Sequence, residues 1–124
     1  MKRRALLLTA LLTACGRGKA TKPLALPAGS VALALGDSIT HGTGAAPEGA
    51  YPMQLARLSA WHVINGGVPG DTSAQALARL PALLSEHRPA LVIVSLGGND
   101  FLRRLPEADT QANLRRCVAL SRDA

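Results

Sequence analysis

The stretch V31-A-L-A-L-G-D-S-I-T40 decides the reading of this chain. Its first five residues form a continuous apolar run, the pattern of a strand covered on both faces of a parallel sheet. Gly36 and Asp37 break the run, and Ser38 follows at the mouth of the strand. A serine between an acid and a β-branched pair is either a turn residue or a nucleophile. The choice depends on what other chemistry the fold brings to that end of the strand.

Two more short apolar runs follow, W61-H-V-I-N65 and L91-V-I-V-S-L96, and both read as strands. The stretch 51–59 between the first two runs is helical, with Pro52 suited to a first turn. Residues 72–87 open with a capping-box pattern, Thr72 with Gln75, and place Leu77, Leu80 and Leu84 on one helical face. Pro81 inside that stretch is expected to kink it or split it in two. A further helix is expected over 114–120, after the polar segment 106–110. The order is β-α-β-α-β-α. Crossovers between parallel strands are right-handed, so helices should flank a parallel sheet. Sites in such sheets collect at the carboxyl ends of the strands. The loops 36–44, 65–72 and 97–101 all fall at that end.

Composition bounds the alternatives. The 124 residues are 48% hydrophobic and 18% charged, enough for one domain with a core and unlike a disordered tail. The formal charge of +6 suggests a nucleic-acid binder until its placement is considered. Six of the 14 basic residues lie within the first 22 positions, and the eight that remain balance the eight acidic ones. With no one-sided basic stripe and no interleaved aromatics, nucleic acid is excluded as a partner, and the chain is expected to be a monomer. Cys15, Cys117, His41, His62 and His87 lack metal-ligand spacing, so neither a metal nor another cofactor is expected. Cys117, among apolar residues at helical spacing, reads as a small buried hydrophobe. No phosphate-binding glycine loop is present.

The N-terminus carries its own message. Residues 1–4 are basic, and A5-L-L-L-T-A-L-L-T-A14 is apolar but too short to span a bilayer. This reads as a signal peptide over 1–14. L12-T-A-C15 resembles the bacterial lipobox, which implies cleavage before Cys15 and acylation of its sulfur. Residues 15–30 then serve as a lipidated, flexible tether to a domain over 31–124. The expected location is the periplasmic face of the cell envelope, anchored in a membrane. Gly16 rather than an acid after the lipid site points to the outer membrane.

Acyl transfer by a serine needs a hydroxyl, a base and donors for the oxyanion. Ser38 supplies the hydroxyl. Gly70 can offer a backbone N–H with no side chain in the way, and Asn99 can offer its side-chain amide. The Ser38 N–H makes a third donor. No G-x-S-x-G elbow occurs in the chain. G36-D-S-I-T40, N65-G-G-V-P-G-D-T-S73 with A78-R-L80, and L96-G-G-N-D100 resemble, in order, three blocks of the SGNH (GDSL-type) hydrolase superfamily. By pattern they are most similar to small bacterial arylesterases, thioesterases and lysophospholipase-like members. The resemblance runs from about Val31 to about Cys117. It implies a three-layer α/β/α, flavodoxin-like fold with a parallel sheet. It also implies a Ser38 nucleophile, oxyanion donors at Gly70 and Asn99, and a small acyl-ester substrate. Asp37, Asp71 and Asp100 match block positions, where local hydrogen bonding in the turns is their expected role.

One block is absent. The superfamily's Asp-x-x-His, which supplies the base and its orienting acid, does not occur in these 124 residues. His41, three residues after Ser38, neighbours it if that turn is helical, but nothing in the sequence orients it. His62 reads as a packed or surface strand residue and His87 as a helix-terminal one. The domain is therefore expected to be C-terminally incomplete, with impaired turnover. The alternative is a non-catalytic lipoprotein remnant or binding module.

Overall fold

The computed structural model describes residues 25–124. The expected signal peptide and Cys15 lie outside the described residues. Three strands, β1 (Val31–Gly36), β2 (His62–Gly67) and β3 (Leu91–Ser95), form a parallel sheet in the order β2-β1-β3. Val31 pairs with His62 and Ala32 with Leu91, which aligns all three carboxyl ends on one side.

The alternation of β1 builds two cores. Leu33 and Leu35 point to one face, where Ala76, Leu80 and Leu84 of α3 (Ser73–His87) and Cys117 of α5 (Glu107–Asp123) cover them. Ala32 and Ala34 point to the other, where Tyr51, Leu55 and Ala56 of α2 (Tyr51–Ser59) lie over them and Val63. All four β1 residues are fully buried, as a continuous apolar run requires. Burying one such leucine contributes roughly 1.5–3 kcal/mol. The result is the expected three-layer α/β/α arrangement, with small side chains under α2 and larger ones under α3 and α5.

Several boundaries differ from expectation. The capping box is present, since Thr72 Oγ1 accepts the Gln75 N–H and Gln75 Oε1 accepts the Thr72 N–H. Pro81, however, lies within an unbroken α3. Its ring is on the exposed side, and the buried Leu80 and Leu84 hold the helix to the sheet on either side of the missing hydrogen bond. Strand β2 starts one residue later than expected and continues through Gly66 and Gly67, which pair with Leu35 and Gly36. Helix α5 begins at Glu107, well before Leu114, and a short α4 (Gly98–Leu102) precedes it.

The last residues of the expected tether are docked. The Trp61 indole N–H donates to the Leu26 carbonyl at 3.3 Å, and Gly29 N–H donates to Ala60 O at 2.8 Å. Folded structure thus begins by about Leu26. At the other edge of the sheet, every residue of β3 is half-buried rather than buried, because among the described residues no strand pairs with its outer side.

Candidate active site

Ser38 opens a single helical turn, α1 (Ser38–His41), directly after β1. Asp37 is its N-cap, with the carboxylate accepting the Ile39 N–H at 3.0 Å. The capping duty therefore falls on Asp37 and leaves the Ser38 hydroxyl unused. Among the described residues, neither Ser38 Oγ nor Ser38 N–H hydrogen-bonds to a protein partner. The hydroxyl is open to solvent, since no buried side-chain oxygen lacks a partner. The first N–H groups of a helix are the natural place for negative charge to be received.

Gly70 lies in the loop after β2 with φ of +84°, a conformation that favours glycine. A side chain there would meet nothing nearer than Arg103 Nη2, at 3.7 Å from its Cβ, so the face is open. Among the described residues no carbonyl or side chain accepts the Gly70 N–H. Arg103 Nη2 donates to the Gly70 carbonyl at 2.8 Å.

Asn99 sits in α4, after β3. Its Nδ2 donates to the Asp71 carbonyl at 2.9 Å, which holds the amide beside Gly70 and leaves its second N–H uncommitted. The helix that carries it is anchored by Asp100. The Asp100 carboxylate accepts the Ser73 N–H at 2.8 Å, the Ser73 hydroxyl at 2.6 Å and the Thr110 hydroxyl at 3.2 Å. Asn113 Nδ2 donates in turn to Ser73 Oγ at 3.0 Å. Burial alone pushes this carboxyl up, but the hydrogen bonds from Ser73 and Thr110 outweigh it and hold the group below its ordinary value.

Asp71, just after Gly70, pairs with Arg79 Nε at 2.8 Å. Arg79 Nη2 donates to the Gly36 carbonyl at 2.9 Å, and the Val68 N–H donates to the same oxygen at 3.1 Å. Three bonds in series thus link the end of β1, the loop after β2 and the helix after β3. Ser38, Gly70 and Asn99 each lie on one of these tied segments. Of the three aspartates, Asp37 bonds within its own turn, whereas Asp71 reaches to α3 and Asp100 to α3 and α5. Arg79 falls in the A78-R-L80 part of the second block, but the sequence assigns it no role. Its partners are a loop carboxylate and a backbone carbonyl, a pairing that no spacing rule announces.

The histidines fall away from this centre. His62 begins β2 opposite Val31, at the far end of the sheet from Ser38. His87 ends α3, which leads into the start of β3, so it too is at the far end; its ring lies 3.8 Å from Glu86. His41 is at the right end but exposed, and its Nδ1 meets Thr43 Oγ1 at 3.4 Å rather than Ser38.

A family model for GDSL-like lipases and acylhydrolases matches residues 34–124. The chain belongs to this family. An arylesterase from Vibrio mimicus is 40% identical over 97 residues, covering 74% of this chain and 48% of the relative. A protein from Escherichia coli named as a thioesterase, protease and lysophospholipase is 44% identical over 88 residues, covering 69% and 42%. The crystal structure of TesA superposes with a TM-score of 0.74 at 40% identity, covering 76% of this chain and 55% of that one. The SGNH hydrolase fold is thus shared with these relatives, and the chain spans about half of their length. In this GDSL-like domain the three sequence blocks contain the three tied segments, each at the carboxyl end of its own strand.

Proposed function

We propose that this domain hydrolyses carboxylic esters or thioesters through an acyl-Ser38 intermediate. Ser38 Oγ attacks the carbonyl carbon while its proton passes to a base. The carbonyl oxygen gains the charge and is received by Ser38 N–H, Gly70 N–H and the free Asn99 amide proton. The tetrahedral species collapses, the alcohol or thiol leaves with a proton, and water then releases the acid from Ser38. Removing one oxyanion donor of this kind lowers turnover about 10²–10³-fold.

The observation that supports this reading is that the Ser38 hydroxyl, the Ser38 N–H and the Gly70 N–H are all uncommitted, on segments tied together through Arg79 and Asp71. The relatives' names, arylesterase and thioesterase, agree with it. Within the 124 residues no histidine is placed to serve as the base, so the chain by itself is proposed to turn over slowly, sustained by its oxyanion donors. That same observation favours the second reading, a binding module that keeps the cradle without catalysis. Hydrolysis of a short-chain aryl ester by the chain and by Ser38→Ala separates the two. A Ser38-dependent rate supports the hydrolase, and equal background rates support the binding module.

The lipid anchor at Cys15 and an envelope location remain part of the proposal. Support comes from the basic and apolar residues 1–14 and the lipobox-like 12–15. Metabolic labelling with an alkyne fatty acid in a bacterial host tests it: label on the chain that is lost in Cys15→Ser is the expected result, and an unlabelled chain overturns it.

A further inference from the structure

The Gly36 carbonyl is the last acceptor of β1 before the chain turns into Ser38. It is gripped twice, by Val68 N–H at 3.1 Å and by Arg79 Nη2 at 2.9 Å. The same guanidinium holds Asp71 through Nε at 2.8 Å, and the Asp71 carbonyl holds Asn99 Nδ2 at 2.9 Å. Arg79 itself is half-buried on the second turn of α3, with its side chain 26% exposed and that of Asp71 11%. A planar guanidinium presents Nε and Nη2 in a fixed fork, so the distance between the Gly36 carbonyl and the Asp71 carboxylate is set by one rigid group.

We propose that Arg79 is a positioning residue, which sets the spacing of Ser38 against Gly70 and Asn99. It touches neither substrate nor reacting atoms. It acts two residues upstream of Ser38 and one residue downstream of Gly70, the two segments whose N–H groups must meet one oxygen. Lysine at this place retains the charge but is a point donor on a flexible stem and cannot hold both acceptors in a fixed relation. A misplacement of this kind lowers reaction at the bound stage while leaving binding of the reagent unchanged.

This proposal rests on the hydrolase reading, and its test separates the two. The full chain is treated with an alkyl fluorophosphonate. Ser38 Oγ forms a bond to phosphorus, the P–F bond breaks, fluoride leaves, and the hydroxyl proton goes to buffer. For Arg79→Lys the maximal labelling rate is expected to fall about 10–100-fold, with half-saturation unchanged within about twofold. Leu84→Val, a core change near the far end of α3, serves as the stability control and is expected to label at the wild-type rate. Arg79→Lys labelling at the wild-type rate overturns the proposal. So does an equal loss in Leu84→Val at matched melting temperature. If the wild-type chain takes no label at Ser38, the hydrolase reading fails, and positioning is then decided by NMR. Shifted resonances of the Ser38 amide and the Asn99 side-chain amide in Arg79→Lys support it, and unmoved resonances overturn it.

Discussion

Asn99 gives one proton of its side-chain amide to the Asp71 carbonyl, at 2.9 Å. This bond joins helix α4 to the loop after β2, between residues 28 apart in sequence, and fixes which way the other amide proton points. Asn99→Ala removes the donor and the tie together. The Ser38-dependent rate is expected to fall about 10²–10³-fold, measured with an aryl ester or a phosphonate. A loss smaller than about threefold would remove Asn99 from the oxyanion donors.

Gly70→Ala tests the neighbouring donor. There is room for the methyl group, since only Arg103 Nη2 comes within 4 Å of it. The backbone is the obstacle: at φ of +84° an L-residue is strained by roughly 1–2 kcal/mol. The melting temperature should drop by roughly 4–8 °C for each kcal/mol in a domain of this size. Reaction at Ser38 should fall further than that loss of stability explains. Thermal denaturation and labelling, read side by side, check both parts.

The buried Asp100 carboxylate predicts acid sensitivity. Its value in the folded protein is below the ordinary one because Ser73 and Thr110 donate to it. As pH falls, the unfolded chain therefore takes up the proton first. The stability this group contributes is complete above the ordinary carboxylate value, about 3.9, and is lost as pH falls below it toward the folded value. Asp100→Asn should cost about 1–3 kcal/mol near neutrality and flatten the acid-side loss of stability below the ordinary carboxylate value of about 3.9. Denaturant titrations across that range give the comparison.

Cys117 is fully buried between α5 and the sheet, and burial pushes its thiol up. It should resist thiol reagents in the folded chain and react at the rate of local opening. Cys117→Ser places a hydroxyl against Leu33 and Leu35 and should cost about 1–3 kcal/mol. Modification kinetics with an aromatic disulfide, with and without denaturant, test the first expectation, and the melting temperature tests the second.

The strands were legible because β1 is covered on both faces, which forces an unbroken apolar run. The start of α3 was legible because the Thr72–Gln75 cap is local chemistry. Pro81 does not split the helix, since the packing of Leu80 and Leu84 on either side holds it to the sheet despite one missing hydrogen bond. Helix α4 escaped notice because five residues carry no periodicity and its anchor, Asp100 to Ser73, is a contact 27 residues away in sequence. Residues 26–30 read as linker by composition, yet the Trp61 indole holds Leu26 and the Ala60 carbonyl holds Gly29. In the site, Ser38, Gly70 and Asn99 could be named from blocks and strand ends. The bonds that hold them in relation run through Arg79 and backbone carbonyls, which only the folded chain brings together.

The most direct test of the nucleophile is mass mapping of a fluorophosphonate adduct on the intact chain. A single adduct on the peptide containing Ser38 is the predicted result, absent in Ser38→Ala and formed far more slowly in Asn99→Ala. An unmodified Ser38, or an adduct that forms equally fast when Asn99 is alanine, would contradict a serine hydroxyl served by an oxyanion cradle.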